Sequence, residues 1–288
     1  MSIERLVQRV RQCKGVERQS AVAELLEAVE QEGSEVAVEI FQALTKLCQE
    51  QQLPTEDLAP HHSTVQLIWK KLYTQAEPLQ EDPYKVEWTL REGYQAIRTQ
   101  LEWLLDLMAY VPGESISSAL RESLHIADPL LSLFAAFSLL RRLEPIEESA
   151  LESIAANPQT RHKLWRKLRE LQMEFLVPQQ WSSPGMLAES ELVNWASYPT
   201  ELGVPPEEIE LMNTFYATVE GKDRDVYLFR FREYPKPWEP GEGWVAGIAG
   251  PYRDGQSLLS PFSSLDPWES MSPEEHFSKL FSIVRGER

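Results

Sequence analysis

Between Asp225 and Trp268 the chain concentrates side chains suited to recognising another molecule. Arg230, Arg232, Tyr234, Trp238, Trp244, Tyr252 and Trp268 lie there among prolines and glycines. Trp, Tyr and Arg dominate interface hot spots, and a guanidinium over a ring adds a cation–π contact. Arg230 and Arg232 are two apart in DVYLFRFR (225–232), so on a strand they share one face. Buried, that face would need acids or an anionic ligand to compensate the two charges, with Trp244 and Tyr252 as walls. The binding candidates are therefore Arg230, Arg232, Trp238, Trp244 and Tyr252. The competing expectation is that a small domain uses its large rings as core.

Other reactive types are present without the spacing that chemistry needs. Gly241-Glu242-Gly243-Trp244-Val245-Ala246 fits GxGxxA. A dinucleotide site needs a strand before that motif and a helix opening on it. Here a Pro-rich segment precedes and strand-like residues follow, so we expect a turn whose glycines allow close backbone packing. The five histidines, His61, His62, His125, His162 and His276, form no HExxH-type ligand array. His61 and His62 read as solvated loop residues. No nucleophile elbow, P-loop or kinase signature occurs. Glu147-Glu148 and Glu207-Glu208 are adjacent, point to different helix faces and suit helix N-termini. Cys13 and Cys48 form neither a CxxC nor a metal spacing, and Cys48 falls in an apolar-periodic stretch. The expectation is no catalytic residue, no metal and no cofactor. Arg161 to Arg169 is a locally basic helix, read either as a solvated face or as a docking patch for an acidic partner.

The 45 acidic and 28 basic residues leave a formal charge of -17. That field disfavours nucleic-acid backbones and anionic membranes, and suits solubility or a basic protein partner. The first fifteen residues contain no apolar h-region. The most apolar run, Leu130 to Leu140, is shorter than the roughly 20 residues a bilayer span requires. The cytoplasm is the expected compartment.

Apolar residues recur at three and four over most of residues 1 to 220, which predicts helices joined by short Pro-marked breaks. Expected segments include a pair within 1–52, then 65–73, 84–110, 115–126, 129–143, 147–156, 159–173 and 185–197. Pro205-Pro206-Glu207-Glu208 reads as the start of a further helix to about Val219. After Gly221 the period becomes two: 225–232 and 243–249 read as strands, with a short third at 257–259. Ser272-Pro273-Glu274-Glu275 has the capping-box order and starts a final helix. The expected fold is mainly α: stacked helical hairpins, HEAT-like or an irregular bundle, over 1–220, then a small β-rich domain with a terminal helix over 221–288.

One segment is more specific. Asp128, Pro129, Leu131, Ala135, Ala136 and Leu139 follow the order found in the second helix of HEAT-type repeats, and the chain resembles that family there. The resemblance implies an Asp-Pro helix start and an Ala-Ala pair that admits a neighbouring helix. Ser132 stands where the family usually has an Arg, which removes the Asp-to-Arg ladder of regular arrays. The family consists mostly of binding scaffolds. The functional expectation is thus a non-enzymatic scaffold, adaptor or regulator, including an immunity-type inhibitor of a basic partner. The alternative is an enzyme or anionic-ligand binder with a pocket between helical body and tail.

Overall fold

The structure is a computed structural model. It describes residues 2–81, 87–219, 221–233, 241–250, 265–269 and 271–284. The protein is mainly α, with a small antiparallel four-stranded sheet and a last helix near the C-terminus. It divides into two compact units, Met1–Ile154 and Ala155–Arg288.

The first unit contains α1 (Ile3–Gln12), α2 (Val16–Gln31), α3 (Ser34–Gln49), α4 (Thr55–Leu58), α5 (His62–Ala76), α6 (Glu92–Met108), α7 (Glu114–Ser123), α8 (Pro129–Arg141) and most of α9 (Glu148–Ala156). α1, α2 and α3 pack in succession, as do α5 to α8, and α6 touches α3, α5, α7 and α8. The reason lies in its sequence. Leu101, Leu104, Leu105, Leu107 and Met108 take apolar side chains around more than one face, and all are buried.

The Asp-Pro helix start forms as expected. Asp128 caps α8 by accepting from the N–H groups of Leu130 (2.9 Å) and Leu131 (3.4 Å). It is fully buried, so its other oxygen also needs partners. Tyr94 Oη donates to it at 2.9 Å, and the Arg98 guanidinium stands 2.9 Å away. Both come from α6. An Arg on the neighbouring helix therefore meets the aspartate. Ser132 donates to Ile126 O. Ala135 and Ala136 are buried, and one turn on Ser138 Oγ donates to Leu105 O of α6 at 2.7 Å.

The second unit contains α10 (Arg161–Glu170), α11 (Gln179–Ser182), α12 (Pro184–Ala196), β1 (Glu207–Val219), β2 (Lys222–Arg232), β3 (Gly243–Ala249), β4 (Asp266–Pro267) and α13 (Pro273–Val284). The strand order is β1-β2-β3-β4. Period-two alternation gives the sheet two apolar faces. Tyr227, Phe229, Phe231, Ala246 and Ile248 pack with Ala188 and Leu192 of α12. Val226, Leu228, Val245 and Ala249 pack with Leu280 of α13. Helices on both faces supply the burial that a few strands lack alone. The capping box forms at α13: Ser272 N–H donates to Glu275 (2.8 Å), and Glu275 N–H to Ser272 Oγ (3.3 Å).

One expected element is wrong. Residues 207–219 form a strand, not a helix. Ile209, Thr214, Phe215, Tyr216, Thr218 and Val219 favour strand, and β2 offers a pairing partner along the whole segment. Register shifts at Glu207/Glu210 and Leu211/Asn213 reset the alternation, which hid the period of two. Gly221, expected to open the β region, is instead the turn between β1 and β2 (φ 74°). The expected strand at 257–259 lies outside the described residues.

Candidate functional site

Arg230 and Arg232 do share a face, and Trp268 joins them. Their guanidinium carbons stand 4.6 and 5.0 Å from its ring centroid. Each also has an acid from β1. Arg230 Nε donates to Glu210 at 2.6 Å, and Arg232 Nε lies 3.1 Å from Glu208. The β1–β2 register places these pairs, since Glu210 sits opposite Arg230. Both arginines are partly exposed and compensated, so the arrangement is a surface ladder of rings and ion pairs. Trp244 pairs across from Phe231 and belongs to the opposite, α12-facing core. It acts there as core material. Trp238 and Tyr252 lie outside the described residues.

Gly243 performs the role expected of the glycine-rich segment. A Cβ on it would come within 2.7 Å of Trp268, whose backbone N–H donates to Gly243 O. The strand follows directly and no helix opens there.

The basic helix is in part structural. Arg161 is buried, and its guanidinium donates to Ala155 O (2.8 Å), Ala156 O (2.8 Å) and Met186 O (2.9 Å). It satisfies the last carbonyls of α9 and ties α12 to them. Burial lowers its pKa below the ordinary guanidinium value, and Glu189 at 3.5 Å offsets only part of that. His162 is buried beside Glu191. Lys163 and Arg166 face solvent.

Next to α10 is an open groove of about 460 Å³, lined by Trp165, Gln172, Glu174, Phe175, Val177, Pro178, Gln179 and Ser182. Phe175 on its wall is 76% exposed, and Leu171 nearby in sequence is 42% exposed. Arg169 caps the groove's Trp165 ring at 5.1 Å. The helix expected over 159–173 and the loop expected from Pro178 leave Phe175 between them, with no role assigned. Phe175 continues the three-and-four spacing of Leu164, Leu168 and Leu171, so the sequence alone carries no sign that it stays in water once α10 ends at Glu170.

The remaining reactive groups have structural surroundings. His61 is buried rather than solvated, and burial holds its pKa below the usual value. His62 is half-buried, with Nδ1 3.0 Å from Ala59 O. His276 is buried with Nδ1 3.3 Å from Asp266, tying α13 to β4. Burial pushes the Cys48 thiol up to about 12, which leaves it protonated and inert. Among the described residues no group of three or more His, Cys, Asp or Glu could hold a metal ion, and no helix is long and apolar enough to cross a membrane.

Comparison with protein-family models, with curated proteins and with solved structures found no match to this chain.

Proposed function

We propose that the protein is a non-enzymatic interaction module that binds another protein through the groove beside α10. The observation that carries this is Phe175, a large ring left in water on the wall of an open cleft lined by both apolar and polar residues. Exposed apolar patches rimmed by polar residues mark binding sites, and a rigid aromatic is the commonest anchor. Two partner chemistries were expected, a basic one from the charge of -17 and an acidic one from α10. The groove favours the second. α10 gives the groove wall its Trp165 and carries Lys163, Arg166 and Arg169 beside it, with Lys167 paired to Glu170, while Glu174 is the one charged residue of the lining itself. The occupant is an acidic segment bearing one aliphatic or aromatic anchor. The arginine ladder on the sheet does not support an anion pocket, because Glu208 and Glu210 already neutralise it.

A peptide-display selection against the full chain tests this. We expect enriched peptides with an apolar anchor flanked by Asp or Glu, and at least tenfold weaker binding, a loss of about 1.4 kcal/mol, to a Phe175→Ser variant. Selection of basic peptides, or binding indifferent to Phe175, would overturn the reading.

A further inference from the structure

Three helices of this chain end in the same turn. After α3, α8 and α10 comes a residue with left-handed backbone: Gln51 (φ 57°), Leu143 (φ 58°) and Gln172 (φ 58°). In each turn that residue's N–H donates to the carbonyl three residues back, and the next N–H to the carbonyl five residues behind it. Glycine suits this backbone. Two of the three positions carry the polar Gln, and the third carries Leu143. Its side chain is 92% exposed, the most exposed large apolar one among the described residues. A lone leucine in water is ordinary. A leucine held in water by a left-handed backbone bears two costs at once, and strain of that kind gathers where a chain makes contacts. The turn is also clamped on both sides. Arg142 donates to Met108 O, Val111 O and Ser117 Oγ. Glu144 accepts from Ser117 at 2.6 Å and from Arg142 at 2.7 Å. Leu143 is thus an aliphatic tip on a fixed base, with little backbone freedom left to lose on contact.

The charge around the tip decides what it fits. From Leu143 to Thr160 the chain has four glutamates, Glu144, Glu147, Glu148 and Glu152, and no Lys or Arg. Glu147 and Glu148 are exposed. The two arginines before the tip are paired, Arg141 with Asp106 and Arg142 with Glu144. An acidic segment led by one aliphatic anchor is the occupant the Phe175 groove calls for, and this chain carries one itself. The other strongly exposed aliphatics lack that charge: Leu67 is followed by Lys70 and Lys71, and Val16 lies between Lys14 and Arg18. We infer that the Leu143 turn of one copy seats in the Phe175 groove of a second copy, its glutamates toward Lys163, Arg166 and Arg169 of α10. The inference rests on the reading of the groove given above and names its partner. Tip and groove are different surfaces, so the contact is heterologous and joins copies head to tail into chains or rings. One anchor in a groove of about 460 Å³ is a small contact, and a charge of -17 on each copy opposes it. The assembly is therefore weak and depends on concentration.

Sedimentation velocity over a concentration series tests this on the full chain, on Leu143→Gly, on Phe175→Ser and on an equimolar mixture of the two variants. Leu143→Gly removes the tip and suits the left-handed turn, so it should melt no lower than the wild type. The wild type should form oligomers that grow with concentration. Each variant alone lacks one half of the contact and should associate at least tenfold more weakly. The mixture brings an intact tip to an intact groove, so association should return and stop at dimers. Loss of folding in either variant cannot produce that rescue. A wild-type chain that stays monomeric throughout would overturn the inference. So would association that either variant keeps, or that the mixture does not restore. The groove reading has a separate outcome: acidic display-selected peptides that bind the wild type and not Phe175→Ser uphold it even where the chain is monomeric.

Discussion

Two carboxylates, one buried and one half-buried, show how single residues hold the first unit. Asp128 caps α8, accepts from Tyr94 and faces Arg98. Asp128→Ala would remove a cap and strand a buried hydroxyl, so it should cost about 2–4 kcal/mol in urea unfolding. Glu144 behaves differently. Burial raises its pKa, but hydrogen bonds from Ser117 and Arg142 and the charges of Arg142 and Arg121 outweigh that, and the net pKa lies below the ordinary 4.5. A lowered folded pKa means the unfolded chain binds the proton more readily. The stabilisation is therefore complete above pH 4.5 and is lost as pH falls through the lower folded value. Glu144→Gln should be the less stable protein near neutrality, and the difference should shrink in acid; a gap that is constant with pH would contradict the assignment. Asp128 was legible as a cap, because capping is local. Its partners Tyr94 and Arg98 were not, because they lie a helix away in sequence. The same limit applies to Arg161, which read as part of a charged face and proves to be a buried staple.

Among elements, the helix expected over 84–110 begins only at Glu92, but the other helices with one apolar stripe were readable to within a few residues, as were α13 with its box and β2 and β3 with their clean alternation. β1 was not. Its Pro-Pro-Glu-Glu start imitates a helix N-terminus, and its bulges break the alternation that would have revealed a strand. Pairing with β2, a non-local fact, decided the outcome. The glycines of β3 were readable in role and not in partner: Gly243 admits the Trp268 ring that stacks under Arg230 and Arg232. Gly243→Ala would overpack that contact at a cost of about 1–3 kcal/mol. Its thermal melt should drop while a Trp268→Ala, Gly243→Ala double variant loses less than the two single changes added together, because the clash is gone.

At the scale of the molecule, each unit has its own core, and the second is a sheet covered by α12 on one face and α13 on the other. The expected split near residue 220 followed the change in hydrophobic period. The compact units divide at 154, because α12 supplies one wall of the sheet's core. Of the five expected site residues, Arg230 and Arg232 come together, Trp244 fills the core, and the surface proposed for binding lies at Phe175 instead. Composition could locate aromatic residues along the chain, but only tertiary packing decides which of them remain in water. The most direct test is affinity capture from the native cell with the wild-type chain and Phe175→Ser in parallel, analysed by quantitative mass spectrometry. The account predicts a partner retained in near-equal amount by the wild type, contacting it through an acidic segment, and absent from the variant. Equal capture by both, or no stoichiometric partner with either, would contradict it.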